Sequence, residues 1–227
     1  MFVSHPAWSL FSRLGEAQLL LPAMAAGVVW LARTPCSRRL AAAWVAAGFV
    51  VALLTTASKV AFIGWEIGSA ALDFTGFSGH AMFAALVLPV LARVAVGRAR
   101  APGPAVAVGA GYALALAITV SRLVVHAHSA SEAWSGCALG AAASGLALAR
   151  TPAPDATPPR WLLVALLAWM LALPVGGPPS RTQDWVTALS LRLSGRAFPY
   201  TRYELHRQAA LHRQASAGGR RAPAAQV

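Results

Sequence analysis

The sequence predicts an all-α fold, an integral membrane bundle of about six transmembrane helices with an N-terminal interfacial helix before it and a basic C-terminal tail after it. Hydrophobic residues make up 57% of the 227 residues and charged residues only 11%, and the mean hydropathy is +0.58. These values lie outside the range of ordinary soluble domains. The apolar residues form long runs, and the arginines fall between the runs or in the tail, which is typical of a multi-pass membrane protein.

Residues 5–16 are predicted to form a short helix in the membrane interface, because apolar residues recur there at helical spacing with polar residues between them. The first two spans are expected at residues 17–32 and 40–58, joined by a loop, RTPCSRR, that contains Pro35. Residues 59–80 are mixed in polarity and contain four glycines, which predicts a loop folded back against the membrane.

Four further apolar runs complete the predicted bundle. They are expected as spans at residues 81–96, 105–120, 133–149 and 161–175. Several runs are nearer 16 residues than the ~20 that cross a hydrocarbon core, so the helices should extend into flanking polar residues. The membrane-embedded domain is therefore predicted for residues 1–178 and an amphipathic, basic tail for residues 179–227, with the last ~12 residues disordered.

The distribution of arginine predicts the orientation. The loops after the first, third and fifth spans carry Arg33, Arg38, Arg39, Arg93, Arg98, Arg100, Arg150 and Arg160. By the positive-inside rule these loops face the cytoplasm, so the other ends of the helices face the periplasm of a bacterial inner membrane. The tail arginines share that periplasmic face, but charges in distant segments weigh less than charges in short loops. The bacterial source is inferred from composition, since a single lysine stands against many arginines and alanines.

Composition also bears on partners and cofactors. A net charge of +12 suits nucleic acid, but arginines placed between apolar runs favour topology-setting loops, and no nucleic-acid partner is expected. Cys36 and Cys137 fall at opposite membrane faces, so neither a disulfide nor a metal site is expected from them. Carboxylates are too few and too scattered for a metal cage, and no cofactor is predicted. Membrane lipids are the expected surroundings, and no obligate protein partner is inferred.

Ionisable residues collect at one end of the apolar runs. Residues 121–132, SRLVVHAHSASE, place an arginine, two histidines and a carboxylate at the seam between two spans, where each is costly unless paired. Lys59 and residues 77–80, FSGH, lie at the same end. Such a set suits phosphate chemistry, which needs cations or amides to hold the phosphate oxygens, a nucleophile in line with the leaving group, and an acid to protonate that group.

Roles for individual residues follow from their chemistry. The groups able to hold phosphate oxygens are Lys59, Arg122 and the backbone amides around Ser78 and Gly79. A neutral imidazole can attack phosphorus when a carboxylate holds its other nitrogen. His128 and Glu132, four residues apart, provide that pair on one helical turn. His80 remains as the general acid.

This arrangement resembles the type 2 phosphatidic acid phosphatase superfamily, whose motifs read KxxxxxxRP, PSGH and SRxxxxxHxxxD. Residues 121–132 reproduce the third motif with glutamate in place of the final aspartate, and residues 77–80 reproduce the second with phenylalanine in place of proline. The first motif retains Lys59, but Glu66 and Ile67 stand where the family has Arg-Pro. The resemblance covers about residues 17–150.

The resemblance implies a membrane lipid phosphatase that hydrolyses a lipid phosphomonoester or pyrophosphate at the periplasmic face. His128 would be the nucleophile that forms a phosphohistidine, Glu132 its orienting partner and His80 the acid. The implied phosphate ligands are Lys59, Ser78, Gly79, Ser121 and Arg122. The implied substrates are phosphatidic acid, phosphatidylglycerol phosphate, a prenyl pyrophosphate or a phosphorylated lipid A.

The altered first motif keeps alternatives open. Losing its arginine removes a bidentate phosphate clamp, and Glu66 is expected to pair with Lys59 or to face water. One hypothesis is that a tail arginine replaces the clamp, the candidates being Arg181, Arg196 and Arg202. His126 is expected to be structural and Asp73 to be a solvated loop carboxylate. Two other functions remain: a phosphotransferase that moves a phosphoryl group between lipids, and a catalytically weakened protein for lipid binding or assembly.

Overall fold

The computed structural model describes residues 6–97, 102–151, 154, 157–178 and 180–219. Within these ranges the regular structure is helical, apart from an isolated antiparallel bridge between Ser69 and Phe74. The helices are α1 (Pro6–Ser12), α2 (Ala17–Leu31), α3 (Pro35–Trp65), α4 (Gly79–Val96), α5 (Gly103–Val124), α6 (Ala130–Arg150), α7 (Arg160–Gly176), α8 (Thr182–Ser194) and α9 (Arg202–Gly219), with a 3-10 turn at Arg13–Gly15. The predicted all-α class is confirmed.

Three helices, α3, α4 and α5, are apolar and long enough to cross a membrane. A fourth span results if Ala7–Gly15 and Ala17–Leu31, which meet at a bend of 42°, are counted as one broken helix. In the described part of the chain, α6 is rich in alanine, glycine and serine and α7 has 17 residues, and neither meets the same criteria. The helices support a membrane protein, whereas six spans are not confirmed.

Helix α3 corrects the prediction that residues 59–80 form a loop. The helix has 31 residues and continues to Trp65, so Lys59 lies within it. The helix extends because Val60, Phe62 and Ile63 are buried against the C-terminal part of the chain, a contact that local sequence does not reveal. Only the later part, from Glu66 to Ser78, is irregular. At the other end, Pro35 begins the helix instead of marking a loop, a position where its missing N–H costs nothing.

Helix α4 is the centre of the bundle, and ten of its residues are buried. Its neighbours approach it through small residues. A Cβ added at Gly140 of α6 would lie 2.1 Å from the Met82 carbonyl oxygen, and one at Gly136 would lie 2.6 Å from the Ser78 carbonyl oxygen. Helix α6 therefore touches the backbone of α4, as small residues allow in membrane bundles. This contact determines how closely the first turns of the two helices meet.

The C-terminal segment folds back onto the end of α3. Helix α8 crosses α3 so closely that a Cβ at Gly64 would lie 3.1 Å from the Ser194 Cβ. A small apolar cluster unites the two regions and consists of Val60, Phe62, Ile63, Val186, Tyr200 and Leu205. Helix α9 continues to Gly219. The loop arginines Arg98 and Arg100 and the tail arginines Arg220 and Arg221 lie outside the described residues.

The contact between α4 and α6 yields a test of the fold. Gly140→Val should lower the free energy of unfolding by at least about 2 kcal/mol, because the new side chain overlaps a backbone oxygen that cannot move alone. The expected fall in Tm is about 5 °C or more, measured by thermal unfolding in detergent. Gly109→Val on α5 is the matched control, since a Cβ there meets nothing within 4 Å. Equal Tm values for the two variants would contradict this packing.

Candidate functional site

The ends of three helices and the turn between α5 and α6 surround a cavity of about 480 Å³. Four residues predicted from sequence contribute to its walls: Lys59 from α3, His80 from α4, Arg122 from α5 and His128 from the turn. The C-terminal segment closes the remaining side, and Arg202 of α9 is part of that wall. The structure therefore brings together two imidazoles and three cationic side chains from distant parts of the sequence.

His128 is held by Glu132 as the spacing predicts. The two side chains meet at 2.9 Å, between His128 Nδ1 and Glu132 Oε2. This contact favours a proton on Nδ1 and leaves the lone pair on Nε2. Burial lowers the pKa of His128 and outweighs the opposing effect of the hydrogen bond to Glu132. The imidazole is thus neutral at neutral pH, which is the form a nucleophile requires.

Glu132 also begins α6. Ser129 is the N-cap, and its side chain accepts from the Glu132 N–H while its own N–H donates to Glu132 Oε2 at 3.2 Å. This reciprocal capping box satisfies two amides that the helix start would leave unpaired. The same carboxylate therefore caps the helix and orients the histidine. The additional methylene of glutamate relative to aspartate is accommodated in this geometry.

The Glu132 carboxylate is fully buried and saturated with donors. Its Oε1 accepts from the Thr75 N–H at 2.7 Å and from the Thr75 hydroxyl at 2.5 Å. Arg202 Nη2 lies 2.7 Å from both carboxylate oxygens. Burial by itself would raise the pKa of Glu132, but hydrogen bonds from His128, Thr75 and Arg202 outweigh it and lower the pKa to about 2. Glu132 is consequently a carboxylate throughout the neutral and mildly acidic range.

Arg122 approaches the cavity from the last turn of α5. One guanidinium nitrogen, Nη1, donates to the Ser12 hydroxyl at the end of α1. Its Nε is buried and has no hydrogen-bond partner among the described residues. An unsatisfied buried donor is costly, and a charged one is relieved by an anion. The N-terminal helix, predicted to lie in the interface, thus packs against α5 and positions a site residue.

Lys59 and His80 line the same cavity from α3 and α4. Lys59 Nζ donates to Gln183 Oε1 of α8 at 3.0 Å. His80 lies in the first turn of α4, where amide N–H groups lack intrahelical partners. The turn at Arg13–Gly15 supports it from behind, because a Cβ at Gly15 would lie 3.0 Å from the His80 Cβ. Any larger residue at Gly15 would therefore displace His80.

Three predicted phosphate ligands do not line this cavity. Ser121 is fully buried, and its hydroxyl donates to the Ile118 carbonyl at 2.6 Å, within its own helix. Ser78 is also buried, and its backbone N–H donates to the Glu132 carbonyl at 3.0 Å. Gly79 lines a neighbouring cavity instead. These three positions therefore lie outside the polar cavity, and Ser78 joins the start of α4 to α6 through its backbone.

The outer carboxylates have partners that the sequence did not indicate. Glu66, expected to pair with Lys59 or to face water, is exposed and forms an ion pair with Arg196 at 2.6 Å. Asp73, expected to be solvated, accepts from Arg202 Nη1 at 2.5 Å and lies 2.7 Å from His206 Nε2. Both carboxylates therefore bind the C-terminal segment across the site.

Sequence reasoning missed two residues of the site and left a third undecided. Thr75 lies in a glycine-containing loop and Gln183 in a tail helix, and neither belongs to any motif. Arg202 was one of three tail candidates, without a local signal to distinguish it. His126 is exposed and adopts a left-handed backbone, with φ of 52°, and it does not line the cavity.

A second, mainly apolar cavity of about 270 Å³ adjoins the first. The two share Lys59, His80 and Gln183. The apolar walls come from α2, α3, α4 and α8 and include Ala17, Leu21, Ala52, Phe83, Trp185 and Val186. A polar compartment and an apolar compartment thus meet at the lysine and the general-acid candidate.

The donor set around the polar cavity suits an anion. In the part of the chain that the structure describes, no three His, Cys, Asp or Glu side chains are grouped as metal ligands. Lys59, Arg122 and Arg202 instead surround the two imidazoles. The arrangement can hold a charged oxyanion and present a neutral imidazole to it.

Fold and site together define an all-helical protein with apolar, membrane-type helices and a histidine–carboxylate pair beside a cationic cavity. No family model matches the chain, and no solved structure matches it. The chain is 39% identical over 206 residues to the "Uncharacterized 22.5 kDa protein in cps region" of Klebsiella pneumoniae, an alignment that covers 89% of this chain and 99% of the relative. It therefore belongs to the same family as that Klebsiella protein.

The depressed pKa of Glu132 predicts a pH-dependent stability. A free glutamate has a pKa of about 4.3, so the folded state favours the ionised form by up to about 3 kcal/mol. This contribution is present above pH 4.3 and is lost as the pH falls toward 2. When thermal unfolding is measured between pH 6 and pH 3, the slope of Tm against pH should be smaller for Glu132→Gln than for the wild type. Asp184→Asn, at an exposed ion pair, should keep the wild-type slope, and an unchanged slope for Glu132→Gln would contradict the prediction.

Proposed function

We propose that this protein is a membrane lipid phosphatase that hydrolyses a lipid phosphomonoester or pyrophosphate through a phosphohistidine intermediate. The observation that carries the proposal is His128, held through Nδ1 by the buried Glu132 carboxylate and placed beside a cavity lined by Lys59 and Arg122. The motifs that resemble the type 2 phosphatidic acid phosphatase superfamily point to the same chemistry.

The first step transfers the phosphoryl group to the protein. Lys59 and Arg122, which both line the polar cavity, hold the phosphate oxygens. His128 Nε2 attacks phosphorus, so an N–P bond forms as the P–O bond to the leaving group breaks. His80 takes up a proton when the negatively charged phosphate is bound beside it, and it donates this proton to the departing oxygen. Glu132 stabilises the positive charge that develops on the phosphorylated imidazole.

The second step returns the protein to its starting state. A water molecule attacks the phosphohistidine, and His80, now neutral, accepts a proton from that water. The N–P bond breaks, phosphate is released, and the electron pair returns to His128 Nε2. Protonation of His80 during this step prepares it for the next leaving group, so one residue serves as acid and then as base.

The neighbouring apolar cavity supports a lipid as the substrate. It opens from Lys59 and His80, so a phosphate in the polar cavity can carry an apolar chain into it. Apolar side chains of α2, α3 and α8 line the path, so the chain of a membrane lipid exchanges one apolar environment for another when it enters the cavity. The substrate candidates remain phosphatidic acid, phosphatidylglycerol phosphate, a prenyl pyrophosphate and phosphorylated lipid A.

The direction of the helices supports a periplasmic site. The cavity lies at the end of α3 and the start of α4. Arg38, Arg93 and Arg150 lie at the other ends of α3, α4 and α6, where the positive-inside rule favours the cytoplasm. We propose a multi-pass protein of a bacterial inner membrane with the site exposed to the periplasm.

The decisive test compares two histidines of one turn. Phosphate release would be measured in detergent from each candidate lipid, without added metal. His128→Asn should reduce release by at least ~10², since it removes the nucleophile. His126→Asn is the matched control and should retain activity, because asparagine tolerates a left-handed backbone.

Each other outcome of this assay has a definite meaning. Undiminished release by His128→Asn would overturn the phosphohistidine mechanism. Phosphate found on a second lipid, with little free phosphate, would favour a phosphotransferase. Neither release nor transfer by the wild type with any of the lipids would favour the lipid-binding or assembly protein.

The apolar cavity predicts a substrate-dependent effect. Ala52→Phe should raise KM for a long-chain lipid phosphate about tenfold, because it fills the space for the chain. The same variant should leave hydrolysis of a short-chain, water-soluble phosphate nearly unchanged. Ala142→Phe, in a separate apolar groove between α3 and α6, serves as the control. Equal KM increases for long and short substrates would show that the cavity does not take the chain.

A further inference from the structure

We propose that Arg202, on α9, is a positioning residue that locks the Glu132 carboxylate in the orientation His128 needs and thereby controls the basicity of that imidazole. The kinetic consequence of this inference rests on the proposed function. The effect of Arg202 on His128 through Glu132 can be tested without turnover. It assigns the C-terminal segment a direct part in the site.

The geometry of Arg202 is that of a bridge between two carboxylates. Its Nη2 lies 2.7 Å from both oxygens of Glu132. Its Nη1 lies 2.5 Å from Asp73 Oδ2 and 3.1 Å from the Asp73 carbonyl oxygen. Glu132 is fully buried, whereas Arg202 is about one-third exposed. One guanidinium therefore neutralises a buried charge and joins it to the loop at the cavity rim.

The other two candidate arginines, Arg181 and Arg196, do not reach this position. Arg181 forms a loose, exposed pair with Asp184 at 3.7 Å, and Arg196 pairs with Glu66. The hypothesis of a replacement phosphate clamp therefore narrows to Arg202. Its Nη groups are directed at carboxylates, so its first role is to hold Glu132 instead of binding a phosphate.

Arg202 is placed by packing as well as by charge. The preceding Tyr200 is buried, its N–H donates to the Ile63 carbonyl at 3.1 Å, and its ring lies 5.3 Å from the Phe62 ring. Glu204 accepts from the Thr201 N–H at 2.7 Å at the start of α9. The backbone on both sides of Arg202 is thus held before the guanidinium meets Glu132, which lowers the entropy cost of the contact.

The consequence for His128 follows from the charges around it. Glu132 raises the proton affinity of the imidazole, and Lys59 and Arg122 lower it. His80 lines the same cavity, and Arg202 acts from α9 through the carboxylate. Without Arg202, the Glu132 charge would be less neutralised and His128 would bind its proton more tightly. Because the nucleophile must be neutral, the acid limb of the pH–rate profile would move to higher pH.

The primary experiment is a histidine titration by NMR on the full-length protein in detergent micelles, with labelled histidine and the His128 signal assigned from its loss in His128→Asn. Arg202→Gln should raise the titration midpoint of His128 by about 0.5 to 1 unit. Arg202→Lys, which keeps the charge but not the bridging geometry, should recover part of that shift. Arg196→Gln removes an arginine from the same segment and should leave the midpoint unchanged.

Kinetics provide the second readout. At neutral pH, Arg202→Gln should lower kcat about tenfold with little change in KM, because Glu132 is no longer locked in the orientation that His128 needs, and the acid limb should shift in the same direction as the NMR midpoint. A His128 midpoint that does not move in either Arg202 variant would overturn the inference. If KM also rises while the midpoint stays unchanged, Arg202 is a phosphate ligand instead. If Arg202→Gln does not fold, the titration midpoint of His128 in Arg202→Lys decides the question. A midpoint above the wild-type value supports the inference, and a midpoint at the wild-type value overturns it.

The two proposals can fail separately. If the wild type releases no phosphate from any lipid, the phosphatase proposal fails, while the His128 midpoint still reports on Arg202. If the wild type is active and neither Arg202 variant moves the midpoint or the acid limb, only the positioning role fails.

Discussion

The structure of the site depends on a single buried charge, the carboxylate of Glu132. A lone ion in this position would be strongly destabilising, and it is stable because donors reach it from three separate parts of the chain. Thr75 comes from the loop after α3, His128 from the turn before α6, and Arg202 from α9. Removing one partner of such a buried pair typically costs about 3–5 kcal/mol. The need to satisfy Glu132 therefore assembles the loop, the turn and the C-terminal segment around one cavity.

Positively charged side chains lie on the other side of His128. Lys59 and Arg122 approach the same space from α3 and α5, and each has a neutral protein partner, Gln183 and Ser12. The two cations remain without a carboxylate contact among the described residues, and the Arg122 Nε lacks any acceptor there. An oxyanion would relieve this concentration of positive charge. The negative group thus lies behind the imidazole and the positive groups in front of it, which is the polarity that the proposed reaction requires.

Backbone contact between helices connects stability with this geometry. Gly136 and Gly140 bring α6 against the Ser78 and Met82 carbonyl oxygens of α4, so the first turns of the two helices cannot separate. His80 and Glu132 belong to those turns. At the N-terminus, Gly15 packs against His80 in the same way. Small residues in these positions fix distances that polar contacts alone would leave adjustable, because lipid provides no hydrophobic drive for helix packing.

The amino-acid sequence by itself determined the helical class, the membrane character and the His128–Glu132 pair, because hydropathy runs and a four-residue spacing are local properties. Motif resemblance also anticipated that Lys59, His80 and Arg122 would meet. Tertiary structure alone decided that α3 continues past Lys59, that Ser121 turns away from the cavity, and that Glu66 pairs with Arg196. It also decided that Arg202, which is 70 positions from Glu132 in the chain, is the tail arginine that binds this carboxylate. The physical reason is that these outcomes depend on burial and charge pairing between distant segments, and no local pattern records which segments will touch.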